Sequence, residues 1–501
     1  MMQTYRKNSS ALILALGLGG CLWCSDLDAQ AKNPAQAAAG ANANVNAGVE
    51  ILTRGPVHEA FAEQLNLNPV AGVSIERQPP AAIDEIPPRV KPKGANVQWI
   101  PGYWGWDVAE NDFLWVSGIW RNAPPANRWI PGYWKPGDKG AQWNSGFWMK
   151  SDVKQLTYNT APPQSLERGP SSDGDPKSQF YVPGNWEPKG ERYQWRPGYW
   201  APYQSKWLWV PSKNTSTASG FIHVPGYWDY SLSQRGTIFA PARIQSTAAA
   251  NGTIQFTPNQ IIDTRQLPLH MFAQNRTSGY LFGNYYDQQF AGMGIKPWFA
   301  TQTVPGVIDP TLGFSSWTSA RTGVNYVDRL TSWNNFFLKN TNLRPALTLT
   351  NQLQLASSLK GTEGLKNALI SAPLTSLVTA SPTQFVNLNA AQHAAIVGSV
   401  NNLKLVGDER LAVESAVGDL SSLVTKGDAI QLPVAPLSLP AADLPVIGGD
   451  AGVNGAIDAV VPVDPSQLLG GDDGEGGLPL LNGGNDEGSE EGDGEGLLDN
   501  D

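Results

Sequence analysis

The chain has 501 residues, 41% of them hydrophobic, which is enough to bury more than one core and favours more than one domain. Its net charge of -9 resides in the C-terminal tail, because sixteen acidic residues and no basic residue follow Lys426. The rest is weakly basic without a cluster of Lys and Arg, so we expect no nucleic-acid partner. Only Cys21 and Cys24 are present, which argues against a disulfide framework or a thiolate zinc site.

The N-terminus has the pattern of an export signal. Basic residues precede an apolar run, which is followed by Ala29-Gln30-Ala31, the small-x-small pattern of a signal-peptidase site. We therefore predict a signal peptide over residues 1–31 and a periplasmic, outer-envelope or secreted location. The alternative is a lipobox ending at Cys21, which would become a lipid anchor. No other stretch is long and apolar enough to predict a transmembrane helix.

Residues 32–94 are predicted to be a flexible spacer and a proline-rich lead-in. The first part consists mainly of Ala, Asn, Gly and Gln, which offer too little apolar surface to form a core. Prolines between residues 79 and 92 favour extended backbone. One short helix is expected around Val57–Phe61.

Residues 95–235 contain a tandem repeat of the form Trp-x-x-Gly-x-Trp, and fifteen of the nineteen tryptophans lie in it. The copies in the first block, residues 99–148, begin at Trp99, Trp115, Trp129 and Trp143. Those in the second block, residues 181–228, begin at Tyr181, Trp195, Trp209 and His223. The seventh copy is decayed, with Ser212 and Asn214 where the motif has Gly and Trp.

The motif step of 14 to 16 residues predicts one strand of seven or eight residues plus a turn for each copy. The expected product is an antiparallel β meander that forms either a sandwich of two stacked sheets or one closed barrel. The motif glycine leaves a gap that an indole of a neighbouring strand can cover. The proline that often precedes it cannot donate to a β ladder, so the strand must lie at an edge or be bulged there.

The tryptophans have two interpretations. Packing in the core explains them without any ligand, because indoles bury large apolar surfaces. On regular strands, however, residues five apart point to opposite faces, so one tryptophan of each pair could form an exposed platform that stacks on sugar rings. The candidates for glycan stacking are Trp104, Trp120, Trp134, Trp148, Trp186, Trp200 and Trp228.

The rest of the chain is predicted to contain three further parts. Residues 236–340 form a mixed aromatic segment of short strands and packed loops, and residues 341–426 form a helical region. Residues 427–501 form a disordered acidic tail, for which calcium binding is a less favoured alternative. The fold class is therefore α+β in several parts.

Two helices are expected in the helical region. One begins at Asn389, with Gln392 completing a capping box. The other begins at Asp408 and carries an apolar stripe. The stripe consists of Leu411, Val413, Val417, Leu420 and Val424.

The sequence offers no set of residues typical of an active site, so we predict no enzyme, no cofactor and no metal. It lacks a nucleophile elbow, a phosphate loop and a dinucleotide fingerprint. Asp107 and Asp112 are the best carboxylate pair, with nothing else to support a glycosidase. The four histidines are far apart and without metal-ligand spacing, and structural roles are expected for His58, His223, His270 and His393.

Taken together, the motifs resemble those of the WxxGxW-repeat family of exported bacterial proteins. The resemblance extends to residues 54–62, 96–104 and 282–286, and it covers about residues 50 to 420. It implies an envelope or secreted location and a β-rich repeat core, and it brings no catalytic residues to this chain.

These patterns lead to two functional hypotheses. The first is a non-enzymatic structural or interaction protein of the bacterial cell envelope, with the helical region as a surface for a partner or a second copy. The alternative is a module that binds cell-envelope polysaccharide through exposed tryptophans. The expected partners are accordingly envelope proteins or polysaccharide.

Overall fold

The structure is a computed structural model that describes residues 48–245, 254–274, 279–359, 368–416 and 437–438. The predicted signal peptide, Cys21 and almost all of the acidic tail lie outside the described residues. In the described part, short antiparallel strands predominate and helices concentrate toward the C-terminus. No helix found there is long and apolar enough to cross a membrane.

The strands fall into three groups along the chain. Those before the repeats are β1 (Val49–Ile51), β2 (Gly55–Pro56), β3 (Leu65–Asn66), β4 (Ser74–Ile75), β5 (Asp84–Glu85) and β6 (Val90–Pro92). Those of the first block and its exit are β7 (Val97–Ile100), β8 (Tyr103–Asp107), β9 (Asp112–Val116), β10 (Ile119–Asn122), β11 (Asn127–Ile130), β12 (Tyr133–Gly137), β13 (Gly140–Asn144), β14 (Phe147–Lys150) and β15 (Gln155–Leu156). Those of the second block are β16 (Gln179–Val182), β17 (Asn185–Lys189), β18 (Arg192–Arg196), β19 (Tyr199–Pro202), β20 (Leu208–Val210), β21 (Lys213–Thr217), β22 (Gly220–Val224) and β23 (Tyr227–Asp229).

Strands and helices alternate after the repeats. The strands are β24 (Gly236–Phe239), β25 (Ala242–Ile244), β26 (Gln255–Phe256), β27 (Gln260–Ile262), β28 (Met271–Gln274), β29 (Tyr280–Phe282), β30 (Ile295–Pro297), β31 (Val307–Ile308), β32 (Ser371–Pro373), β33 (Phe385–Asn387) and β34 (Leu437–Ser438). The helices are α1 (Gln288–Gly292), α2 (Pro310–Ala320), α3 (Tyr326–Lys339), α4 (Leu349–Ser358), α5 (Leu374–Ala380) and α6 (Ala390–Ala416).

The prediction of one strand for each motif is wrong. Every copy of the motif joins the end of one short strand to the start of the next, and the chain leaves the ladder between them. In the first copy, β7 ends at Ile100 and β8 begins at Tyr103, so Pro101 and Gly102 form the break. Proline has no N–H to donate to a ladder, which explains why pairing stops at this position.

Two consecutive motifs pair to form one bent hairpin. Hairpin 1 consists of β7–β10, hairpin 2 of β11–β14, hairpin 3 of β16–β19 and hairpin 4 of β20–β23. In hairpin 1 the inner strands place Trp104 opposite Trp115, and the outer strands place Trp99 opposite Trp120. The same register recurs in the other three hairpins.

The bend sends the two halves of hairpin 1 into different sheets. Its outer strands complete a five-stranded sheet of order β32-β27-β24-β10-β7. Its inner strands belong to a four-stranded sheet of order β1-β25-β9-β8. The described strands therefore form several short sheets, all antiparallel except the pair β5–β26, and none of these sheets closes on itself.

The largest cluster of buried side chains joins the repeats to the segment that follows them. Trp129 and Trp148 of hairpin 2 share this cluster with Tyr280, Trp298 and Trp333. That segment contains α2 and α3, two helices where strands and loops were expected. Asp309 and Asn325 cap their N-termini by accepting the N–H groups of the third helical residues.

Helix α6 confirms one of the two predicted helix starts. Asn389 accepts the N–H of Gln392 at 2.9 Å, and the Gln392 side chain accepts the N–H of Asn389 at 3.0 Å, which is the expected capping box. The prediction of a second start at Asp408 is wrong, because the helix continues through that residue. Val417, Leu420 and Val424 of the predicted stripe lie outside the described residues.

Candidate functional site

The first aromatic residue of each motif lies against the motif glycine of the paired copy. A Cβ atom added to Gly146 would lie 2.3 Å from Cζ2 of Trp129, and one added to Gly118 would lie 2.6 Å from Cζ2 of Trp99. Gly184 and Gly226 show the same relation to their partner indoles at 2.5 Å. The predicted covering by an indole of a neighbouring strand is thus confirmed at six of the seven motif glycines, whereas Gly198 lies against the hydroxyl of Tyr181.

Paired rings reinforce this arrangement along every bent hairpin. Trp99 and Trp120 meet edge to face with centroids 5.0 Å apart, and Trp104 and Trp115 do so at 5.4 Å. Aromatic pairs of this geometry contribute about 0.5–1.5 kcal/mol each beyond the area they bury. Five further cross-strand aromatic pairs occur in hairpins 2 to 4.

A buried glutamate binds the break in hairpin 1. The Glu85 carboxylate accepts the N–H of Gly102 at 2.8 Å and the N–H of Gly118 at 2.9 Å. It also accepts the indole N–H of Trp115 at 2.9 Å. Burial raises the pKa of Glu85, and these three donors act against that increase. The two backbone groups that leave the β ladder at the break are thus satisfied by one side chain.

Hairpins 2 and 3 have equivalent glutamates. Glu59 accepts the N–H of Gly146 at 2.9 Å and the indole N–H of Trp143 at 3.3 Å. Glu167 accepts the N–H of Gly184, and its other oxygen accepts the hydroxyl of Tyr181 at 3.0 Å. Three glutamates from outside the motifs therefore perform the same role.

Cationic or neutral donors bind the carbonyl side of the same breaks. Arg410 of α6 donates from Nη1 to the carbonyl oxygen of Pro131 at 2.8 Å and to that of Ser145 at 3.0 Å in hairpin 2. The Arg410 guanidinium also donates to Glu414 at 2.7 Å, and both side chains are fully buried. In hairpin 1, Nε2 of His58 lies 3.1 Å from the carbonyl oxygen of Pro101.

Residues 54–64, here called the central segment, lie between the hairpins and contact several of them. The carbonyl oxygen of Ala60 accepts hydrogen bonds from the Nε–H of Arg121 at 2.9 Å and from the indole N–H of Trp148 at 3.1 Å. Arg121 also forms a buried ion pair with Asp229 at 2.7 Å. The short helix expected around Val57–Phe61 is wrong, because the chain forms a turn there.

Hairpin 4 shows how the decayed copy fits the pattern. Asn214 replaces a tryptophan and lies opposite His223, whose Nδ1 is 3.2 Å from the Asn214 Oδ1 atom. His223 also stands where other copies have the aromatic ring that covers the partner glycine. A smaller ring leaves room for a side chain, which is consistent with Ser212 at the glycine position.

The seven predicted stacking tryptophans differ in exposure. Three of them are buried, namely Trp104, Trp120 and Trp148. The other four are half-buried, namely Trp134, Trp186, Trp200 and Trp228. Glycan stacking by these rings stays a prediction, and in this structure only the second group offers accessible ring surface.

The polar residues considered in the sequence lie in separate places. His270 contacts the hydroxyl of Tyr286, and His393 contacts the carbonyl oxygen of Pro87. Asp107 and Asp112 lie opposite each other on β8 and β9, but they belong to different ion pairs. Asp107 is buried near Arg54, whereas Asp112 is exposed beside Arg77.

Residues of hairpins 1, 2 and 4 and of the central segment line a cleft of about 640 Å³, within the roughly 300–1,000 Å³ range of small-molecule sites. Aromatic rings of hairpins 1 and 2 line it, and we call it the aromatic cleft. These rings are Tyr103, Trp104, Trp106, Trp134 and Trp143. Glu59, Lys213–Ser216, residues 69–77 and part of the segment after the repeats, including Tyr280, also line it.

Comparisons with known proteins add no relative to this description. No protein-family model, curated protein or solved structure matches the chain.

Two titratable groups of the central segment, His58 and Glu59, should have opposite effects on the pH dependence of stability. Burial lowers the pKa of His58 to about 4. Between pH 6.5 and pH 4, His58 is therefore protonated in the unfolded chain but neutral in the folded chain. Stability should fall by up to about 3 kcal/mol as pH falls from 6.5 to 4. Burial raises the pKa of Glu59 to about 7, so between pH 7 and pH 4.5 this carboxyl group is protonated in the folded chain but ionised in the unfolded chain. Stability should therefore rise as the pH falls through this range.

Glu59→Gln should therefore make the protein lose stability more steeply below pH 6.5 than the wild type does. The measurement is the free energy of unfolding in urea across this pH range. His58→Gln is the counterpart, and its stability should rise as the pH falls. Identical pH profiles for the wild type and both variants would contradict these assignments.

Proposed function

We propose that the protein is a non-enzymatic structural or interaction protein of the bacterial cell envelope, with the paired motifs as its scaffold. The observation that supports this most directly is the mutual contact of indoles, motif glycines and buried glutamates in hairpins 1 to 3. These groups satisfy one another, so their evident role is to hold the fold. The proposed location follows from the export pattern, with cleavage after Ala31 or lipidation of Cys21.

The helical region supplies the proposed interaction surface. Its longest helix, α6, packs one face against the repeats through Val406, Arg410 and Glu414. The opposite face carries Leu405, whose side chain is 58% exposed. We assign this outer face to a partner protein or a second copy.

Polysaccharide binding is the second candidate function. The observation in its favour is the partial exposure of four motif tryptophans, because a half-buried indole has both a fixed orientation and a free surface. Under this hypothesis the hairpins hold the rings and the glycan stacks on them.

Co-sedimentation with envelope fragments of the bacterium that makes the protein separates the two candidates. The full mature chain should pellet with the fragments, and protease treatment of the fragments should abolish this if the partner is a protein. Loss after glycosidase treatment instead would favour the polysaccharide candidate. A chain that stays in the supernatant with untreated fragments would contradict both.

A further inference from the structure

The aromatic cleft combines features that neither the scaffold nor the helical surface requires. Trp106, Trp134 and Trp143 are each half-buried and line the same cavity. Trp106 lies outside the aromatic pairs of the motif, contacts Phe113 edge to face at 5.2 Å, and has the Arg77 guanidinium over its ring at 5.9 Å from the centroid. Its ring is therefore held in place while part of its surface remains accessible.

One buried hydroxyl in the cleft wall has no partner among the described residues. Thr215 is 9% exposed, and its Oγ1 atom makes no hydrogen bond to any of them. A buried hydroxyl without a hydrogen bond costs about 1–3 kcal/mol, and a ligand or a bound water would remove that cost. Thr215 belongs to the stretch of hairpin 4 that lines the cleft.

The charges around the cleft do not favour an anionic ligand. The ammonium of Lys213 is paired with Glu63, and Arg77 is paired with Asp112 at 3.0 Å. Glu59 already accepts two hydrogen bonds from hairpin 2. The accessible chemistry thus consists of aromatic faces, neutral polar side chains such as Asn111 and Ser216, and one exposed carboxylate, Glu76.

We propose that the aromatic cleft binds a neutral saccharide, with a sugar ring stacked on the accessible part of a half-buried indole and a sugar hydroxyl bonded to Thr215. Sugar rings present an apolar C–H face and a rim of hydroxyls, which matches indoles next to an unpaired hydroxyl. This inference deepens the polysaccharide candidate by naming a site, and it does not depend on the scaffold role.

The test measures binding of soluble cellotriose, maltotriose and tri-N-acetylchitotriose to the full mature chain by calorimetry and tryptophan fluorescence. At least one of them should bind saturably. Trp106→Ala should abolish that binding, and Thr215→Val should weaken it about tenfold without lowering the melting temperature, because the lost hydroxyl had no partner in the free protein.

Trp207→Ala is the matched control, since Trp207 is also half-buried, contacts a single ring, Tyr230, at 4.7 Å, and is not among the cleft residues. It should leave binding unchanged. Absence of binding by all three saccharides would overturn the inference. Binding that survives Trp106→Ala and Thr215→Val but is lost in Trp200→Ala would also overturn it, while supporting the polysaccharide candidate through the motif tryptophans.

Discussion

Replacing Arg410 by methionine should lower the free energy of unfolding by about 3–5 kcal/mol, the usual cost of breaking a buried ion pair. The substitution leaves the Glu414 carboxylate buried without its cation. It also removes the donor that serves the carbonyl oxygens of Pro131 and Ser145 in hairpin 2. Equilibrium unfolding in guanidinium chloride measures the change.

Two further variants separate the buried charge from general effects of removing an arginine. Arg243→Met breaks a pair of the same 2.7 Å length with Glu50, but that pair is exposed and should cost less than about 1 kcal/mol. Adding Glu414→Gln to Arg410→Met should recover part of the lost unfolding free energy, because the buried carboxylate without a cation is replaced by a neutral amide. Equal losses for Arg410→Met and Arg243→Met would contradict the proposed docking of α6.

Replacing Gly102 by alanine should destabilise the protein by about 3 kcal/mol or more, because the site has no room for a methyl group. The added Cβ atom would lie 2.4 Å from the carbonyl oxygen of Val116 and 2.9 Å from the backbone nitrogen of Gly118. Both are backbone atoms, so a side-chain rotation cannot relieve the overlap. Relief would require the two motifs to move apart and separate Glu85 from its donors.

Gly137→Ala is the control for this prediction. Gly137 also lies in a repeat strand, but the atom nearest to an added Cβ would be the carbonyl oxygen of Gly140 at 3.6 Å, an ordinary van der Waals contact. Its unfolding free energy should change by less than about 1 kcal/mol. A Gly102→Ala variant as stable as Gly137→Ala would show that the motifs do not approach each other as closely as described.

The sequence predicted the local features of the fold better than its pairing. The count of motifs and the capping box at Asn389 depend on residues close together in the chain, and they are found as expected. The covering of the motif glycine requires only that consecutive copies pair, and it is found at six of the seven glycines. The decayed copy at Trp209 keeps the register of the others because its strand ends are intact. The bend at each Pro–Gly step was missed because a long strand with a bulge and two short strands have the same residue pattern.

The three glutamates that bind the motif glycines were not predicted from the sequence. Glu85 and Glu167 each precede the first motif glycine of their block, Gly102 and Gly184, by 17 residues, whereas Glu59 lies 87 residues before Gly146. Their role depends on tertiary contacts that a repeat pattern cannot predict. The helices α2 and α3 did have signals in Asp309-Pro310 and Asn325, but the abundance of aromatic residues favoured strands.

The aromatic cleft was likewise only partly predictable. Trp104 and Trp134 were among the expected stacking residues, but their convergence with Trp106 and Trp143 results from the bends of hairpins 1 and 2. Thr215 belongs to no motif in the sequence, and only the structure shows that its hydroxyl is buried without a hydrogen-bond partner among the described residues. Binding sites built from several hairpins emerge only when their relative positions are known.

Amide hydrogen exchange at the motif glycines tests the central claim most directly. In the wild type, the amides of Gly102 and Gly118 should exchange far more slowly than that of the exposed turn residue Gly190, although they lie at breaks in the β ladder. Glu85→Ala should speed exchange at these two glycines and leave Gly146 slow. Fast exchange at Gly102 and Gly118 in the wild type would contradict the account of motifs paired around buried glutamates.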